Sequence, residues 1–363
     1  GQTFGETATE KAEAIDGYTV DAETKNVKIT TGKNEITFYY TKRADLAYTV
    51  NYYEEGTTTK LHDSKKVENQ TFGANVTEEA VTIPGYNLAG ETSQTITIGT
   101  GTNEINFYYT KKTTLSYTVK YLEAGSDEEL ATSKTVENQT FGTEVTEEAI
   151  AINGYNVTGE STKTITIADE SNEIVFYYTK KNDLSYVVNY LEKDTNQKLA
   201  DAKTETGKTY KDKVTEKAIA IDGYDLVGEA TQNLTISHDN GKNVINFYYT
   251  KRTDLGYTVK YLEKETNKKL AEEKNVTGQT FGVTLSETAL EIDGYTVDAP
   301  TKDVTITTGK NEITFYYTKR ADLGYTVKYL EKDTDTVLAA EKTVTGQTFG
   351  ETATEKAEAI DGY

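Results

Sequence analysis

Histidine occurs only at His62 and His238, cysteine does not occur, and the two histidines do not stand at equivalent places in the chain. Base, thiolate and thiol-metal chemistry therefore lack their usual residues. No serine recurs beside a base, so nucleophilic catalysis has no constellation. The acidic clusters Asp127-Glu128-Glu129 and Asp333-Thr334-Asp335 lack the alternating ligands and turn glycine of an EF-hand loop, and they read as solvated turns. The sequence predicts no enzyme, no cofactor and no metal site. Three recurring sets remain. Lys65, Lys134, Lys203, Lys274 and Lys342 recur with Glu54, Glu123, Glu192, Glu263 and Glu331, and with Asn34, Asn103, Asn172, Asn243 and Asn311. Lysine, asparagine and a carboxylic acid are the ingredients of a spontaneous Lys–Asn isopeptide bond, provided burial lowers the lysine pKa and keeps the acid protonated. Such a bond would release one ammonia per module. The plainer reading is a strand-edge lysine, a solvated glutamate and a loop asparagine. Tyr39, Tyr108, Tyr177, Tyr248 and Tyr316 are candidates for stacking on sugar rings, since tyrosine offers an apolar face with a polar tip. Covering a sheet, or packing on a neighbouring module, is the alternative use of the same rings.

These sets recur because the chain is a tandem array. FYYTK begins at Phe38, Phe107, Phe176, Phe247 and Phe315, at spacings of 69, 69, 71 and 68. A Gly-Tyr pair ends at Tyr18, Tyr86, Tyr155, Tyr224, Tyr295 and Tyr363, always 48 residues after the preceding Phe. Every length change therefore falls between Gly-Tyr and the next FYYTK, in a loop ending at the recurring asparagine. All ten Phe occupy two slots, FYYTK and TFG, and no aromatic is left over to build a site peculiar to one module. Residues 1–18 and 346–363 are identical, as expected of a window onto a longer repetitive protein. Completion of the partial modules by strands of a neighbouring chain is the alternative. The module boundaries read as 1–47 (partial), 48–116, 117–185, 186–256, 257–324 and 325–363 (partial).

The elements that position these residues are strands. Tyr117-Thr-Val-Lys-Tyr-Leu alternates with period two, and a second strand lies near 133–140. Thr146-Glu-Glu-Ala reads as the N-cap and acidic first turn of one short helix. Asn153-Gly154, and Asp-Gly or Pro-Gly in the other copies, is a turn. Lys163–Ile167 and Glu173–Thr179 read as a hairpin, with Ile174, Phe176 and Tyr178 on its core face. About six residues join one module to the next, without a Gly-Ser run or proline, so neighbours must touch and a semi-rigid rod is expected.

The composition excludes several partners. With 59 acidic against 39 basic residues the net charge is −20, which disfavours nucleic acid and anionic membrane surfaces. No apolar stretch approaches the roughly 18 residues of a spanning helix, so no membrane insertion is expected in this segment. The opening YTVKYLE, the central VTGQTFG, the IDGY turn and the closing ITFYYT, in this order and spacing, resemble the mucin-binding-protein (MucBP) repeats of Gram-positive bacterial surface proteins. The resemblance covers four complete and two partial copies. It implies mainly β (α+β) modules similar to the ubiquitin-like β-grasp, with an immunoglobulin-like sandwich as the structural alternative. It also implies an extracellular, cell-surface location, with wall attachment through a region outside this window. The expected role is a non-enzymatic stalk or fibre with weak multivalent binding of mucin or other host glycans. The alternatives are a dedicated mucin adhesin with a site in each module and a filament self-assembled through strand complementation. The acidic charge opposes sialylated or sulfated glycans at long range.

Overall fold

A computed structural model describes residues 1–363 and is built almost wholly of strands. Residues 117–185 show the pattern. β1 (Leu115–Glu123) and β2 (Glu129–Gln139) form an antiparallel pair, followed by β3 (Glu144–Glu148), β4 (Tyr155–Thr158), β5 (Thr162–Thr166) and β6 (Asn172–Lys180). The main sheet has the order β2-β1-β6-β4, with β1 and β6 parallel at its centre and the outer pairs antiparallel. β3 and β5 form a separate antiparallel pair that covers one face of it. The order 2-1-4-3 of the main-sheet strands is the β-grasp arrangement, and the parallel pair at the centre of the main sheet departs from the wholly antiparallel sheets that a sandwich would need.

Two local expectations are corrected. No helix follows Thr146; residues 144–148 are a strand. The segment alternates with period two, Val145 and Glu147 facing inward and Thr146 meeting Thr164 outside, and this outweighs the capping signal at a length too short for a helix to nucleate. The expected hairpin is also absent. Thr162–Thr166 pairs with β3, whereas β6 crosses to the other sheet and pairs in parallel with β1. A parallel pair needs such a crossover, and here β2 to β5 supply it.

The core lies between the two sheets. Val119, Phe176 and Tyr178 are essentially fully buried, and Tyr121 stacks on Phe176 with ring centroids 6.1 Å apart. Ile174, Phe176 and Tyr178 share the core face, as their alternation predicts. The same arrangement recurs in 48–116, 186–256 and 257–324. In the first partial module, which has no β1, the strand equivalent to β6 shortens to Tyr40–Lys42. Parallel pairing with β1 is what extends it elsewhere. The chain divides into two compact units, 1–180 and 181–363.

Candidate functional site

Two surfaces of the module present recurring side chains: the end where one module meets the next, and the sheet face turned away from the core.

At the junction, the Gly of the Gly-Tyr turn adopts a left-handed backbone, with φ +81° at Gly85, and the TFG phenylalanine of the following module lies flat on it. A methyl group at Gly85 would stand 2.4 Å from the Phe141 ring, and the same holds at 2.3–2.4 Å for Gly17 and Phe72, Gly223 and Phe281, and Gly294 and Phe349. Glycine is thus required twice, by the turn and by the ring. The neighbouring tyrosine meets the same ring edge-on, at 5.5 Å for Tyr86 and Phe141. A linker residue ties the two together through its backbone: Lys112 N–H donates to Gly85 O, and Lys112 O accepts from Phe141 N–H, both at 2.9 Å. Arg43, Arg252 and Arg320 do likewise at their junctions. Their guanidinium groups make two-point ion pairs with Asp45, Asp254 and Asp322, which hold those carboxyls below the usual range. The sequence required neighbouring modules to touch but did not name the glycine and phenylalanine that do so. The signal available was the restriction of every Phe to two slots, one of them not in the strand core.

The length-variable loop lies at this end as well. Thr100 Oγ1 donates to Asp16 of the preceding turn (2.8 Å), and Thr308 Oγ1 donates to Asp222 (2.7 Å).

The recurring Lys, Glu and Asn sets are engaged separately. Lys134 Nζ bonds Glu147 (2.6 Å), which also accepts from Tyr117 Oη (2.6 Å); Lys65, Lys203 and Lys274 have the same partners in Glu78, Glu216 and Glu287. The lysine and the tyrosine hold the Glu147 carboxyl low, and the carboxylate pushes Tyr117 up to about 12. Glu123 faces Lys180 (3.3 Å), and Glu54, Glu192 and Glu263 face Lys111, Lys251 and Lys319 at 3.9 Å. Asn172 closes the loop before β6, donating to Ser116 O and Ala168 O while accepting from Ala168 N–H. Asn103, Asn243 and Asn311 close their own loops in the same manner. The structure does not bring lysine, asparagine and a third acid to one point.

Tyr108, Tyr177, Tyr248 and Tyr316 stand on the outer face of β6 and its equivalents, and Tyr39 directly precedes the shortened strand Tyr40–Lys42. Tyr39, Tyr108 and Tyr177 are 68, 40 and 38% exposed, while Tyr248 and Tyr316 are half-buried. In register beside them lie Leu122, Leu191 and Leu262, but in 48–116 the neighbour is Tyr53, whose ring is 6.1 Å from Tyr108. Next along these strands Asn51 donates to Asn106, and Ser64 donates to Asn51. The position of Asn51 is held by Lys120 in 117–185 and Lys260 in 257–324, whereas in 186–256 Asn189 donates to Asn246 in the same way. One module therefore does carry a local aromatic pair, made by the single Leu-to-Tyr difference at Tyr53.

A model of the MucBP domain matches residues 1–41, 49–110, 117–179, 187–250, 258–318 and 326–363. The chain belongs to the MucBP family. Internalin J of Listeria monocytogenes serotype 4b (strain F2365) is 29% identical over 328 residues, 87% of this chain and 35% of that protein. Internalin J of Listeria monocytogenes serovar 1/2a (strain ATCC BAA-679 / EGD-e) is 30% identical over 261 residues, 68% of this chain and 29% of that protein. The MucBP chain thus spans about a third of the length of each of these two relatives. Among solved structures, the Bacillus anthracis TIE protein is similar over 86% of this chain and 76% of its own, at 14% identity and a TM-score of 0.33. Mub-RV is similar over 38% of this chain and 99% of its own, at 14% identity and a TM-score of 0.14.

Proposed function

We propose that this chain is a non-enzymatic repeat segment of a bacterial cell-surface protein, working as a stalk of docked MucBP modules. The observation that supports a stalk most directly is the junction: a ring seated on a left-handed glycine and a two-bond backbone bracket, found at both junctions of 1–180 and both of 181–363 for which the contacts are described above. A flexible tether would need none of these. Family membership and the Listeria relatives support the cell-surface setting. Small-angle scattering of the full chain tests the reading. The stalk expects an elongated particle whose stiffness drops when Phe72, Phe141, Phe281 and Phe349 become Ala, with the far-UV spectrum unchanged. A profile that is that of a freely jointed chain before any substitution would sink it.

A second reading, weak binding of host glycans along the stalk, is favoured by the Tyr53–Tyr108 pair and its uncharged amide neighbours. Two rings side by side and two amides suit a neutral pyranose better than an anionic one, given the net charge of −20. Binding of the full chain to immobilised mucin, native and sialidase-treated, tests this. The expected result is saturable binding, stronger after sialidase and reduced at least tenfold by Y53A/Y108A. No binding to either surface would leave the modules as spacers.

A further inference from the structure

The polar contacts around the junction differ from one junction to the next, and they differ together. Where the turn residue before the glycine is Asp16 or Asp222, the aligned loop residue of the following module is a hydroxyl donor, Thr100 or Thr308, and the two are bonded. Where the turn residue is Pro84, with no side-chain acceptor, the aligned loop residue is itself an acid, Asp169. Asp169 instead takes, at 2.5 Å, the ammonium of the linker residue Lys112. The linker changes with it. The linkers of the Asp16 and Asp222 junctions carry Arg43 paired to Asp45 and Arg252 paired to Asp254, whereas Lys112 has Thr114 at the place of that aspartate, leaving its ammonium free of a local partner and available to Asp169. At these three junctions four positions on three segments thus form one of two sets: acid turn, hydroxyl loop and self-paired arginine linker, or neutral turn, acid loop and lysine linker.

We propose that the leading face of the modules 48–116, 117–185 and 257–324, made of the TFG phenylalanine and the variable loop, is a docking surface that selects the turn and linker it follows, the partner being the preceding module of this same chain. The ring on glycine supplies a contact common to the four junctions within 1–180 and within 181–363, and the polar set supplies the discrimination. A mismatched neighbour would oppose two carboxylates, as Asp16 against an acid loop would, or leave Lys112 without its acid. The order of modules is then encoded at their ends, and a module moved to another place in the array docks poorly even though it folds. The inference goes beyond the stalk reading, since a stalk needs docking but not selective docking.

A double-mutant cycle in the full chain tests it, read by hydrogen exchange at the amides of Lys112 and Phe141, whose bonds bridge the junction. Pro84→Asp sets a second carboxylate against Asp169 and should speed exchange at both amides about tenfold. Asp169→Thr removes the acceptor of Lys112 and should do the same. Pro84→Asp with Asp169→Thr, carrying Lys112→Arg and Thr114→Asp, rebuilds the set found at Asp16, Arg43, Asp45 and Thr100, and should return exchange to within about twofold of the parent. Exchange at Val119 in the core reports whether the module itself stays folded. Should Pro84→Asp unfold its module, Thr100→Asp against Asp16 poses the same mismatch at the first junction, with Arg43 and Phe72 as the reporting amides. Single substitutions without effect, or a combined variant as fast as the single ones, would overturn the proposal.

Discussion

Glu147 is asked to serve two donors at once, the ammonium of Lys134 and the phenol of Tyr117, and this joins β1, β2 and the small sheet at one carboxylate. Its side chain is 13% exposed, so removing either partner leaves a largely buried acceptor short of a bond. The pKa directions give the pH dependence. A carboxyl held low contributes stability that is present above its unfolded value, near 4.3, and is lost as the pH falls through its folded value. A phenol pushed up to about 12 contributes stability that is present below its unfolded value, near 10, and is lost as the pH rises toward 12. Tyr48 is raised to about 12 in the same way, and Tyr186 and Tyr257 reach about 12 through burial together with the bonds to Glu216 and Glu287, so the modules should act together. Thermal midpoints are therefore expected to be level from about pH 5 to 10 and to fall on both sides. Replacing the four tyrosines by Phe should lower stability by about 0.5–1.5 kcal/mol per module at pH 7 and flatten the alkaline limb. An alkaline limb unchanged in that variant would show that other groups set it.

The strand is the scale at which reading the sequence succeeds and fails for visible reasons. Period-two alternation placed Tyr117, Val119 and Tyr121 on one face and Ile174, Phe176 and Tyr178 on another, because both strands bury one face fully and burial writes itself into residue type. Pairing is not written that way. β5 and β6 are close in sequence and look like a hairpin, yet their partners, β3 and β1, lie far away in the chain. Strand β3 carries glutamates that suit a helix start, and only Glu147's partners, on other strands, explain their place. The candidate tyrosines were found because exposure follows alternation. The junction glycine was seen as a turn, and its second constraint, a ring from the next module, could not be seen without the fold. A bulge in the β1–β2 pair is a further case. The register slips by one residue between Leu115/Gln139 and Tyr117/Val136, and Asn138 sits there at φ +59°. Gly207, Gly278 and Gly346 hold the same place in other modules at φ +67 to +74°. A left-handed bulge accepts Gly or Asn and rejects a β-branched residue. Asn138→Gly is expected to be neutral or stabilising by up to about 1 kcal/mol, and Asn138→Val to cost about 1–2 kcal/mol, in denaturant melts. Equal stability of the two variants would mean that the bulge relaxes.

Across the molecule, what matters is how far one module's stability depends on its neighbour's. A domain of about 69 residues without cysteine is marginal by itself, and in a repeat array the neighbour term adds to the intrinsic one. Within 1–180 and within 181–363 that term has a definite structure: Phe72, Phe141, Phe281 and Phe349 each cover a glycine of the preceding turn, and a linker amide and carbonyl bridge the gap. Substituting these four by Ala removes the ring and changes no strand residue, although Phe72 also packs on the core of its own module. Calorimetry then separates two possibilities. If modules are coupled, the parent unfolds in units larger than one module, and its van't Hoff enthalpy exceeds that of a single module, about 50 kcal/mol at roughly 0.7 kcal/mol per residue. The four-fold variant should melt lower and more broadly, with a van't Hoff enthalpy near the single-module value and an unchanged far-UV spectrum at 25 °C. Superimposable transitions in parent and variant would mean that the modules unfold independently, and that the ring on glycine fixes only where neighbours sit and not how long they stay folded.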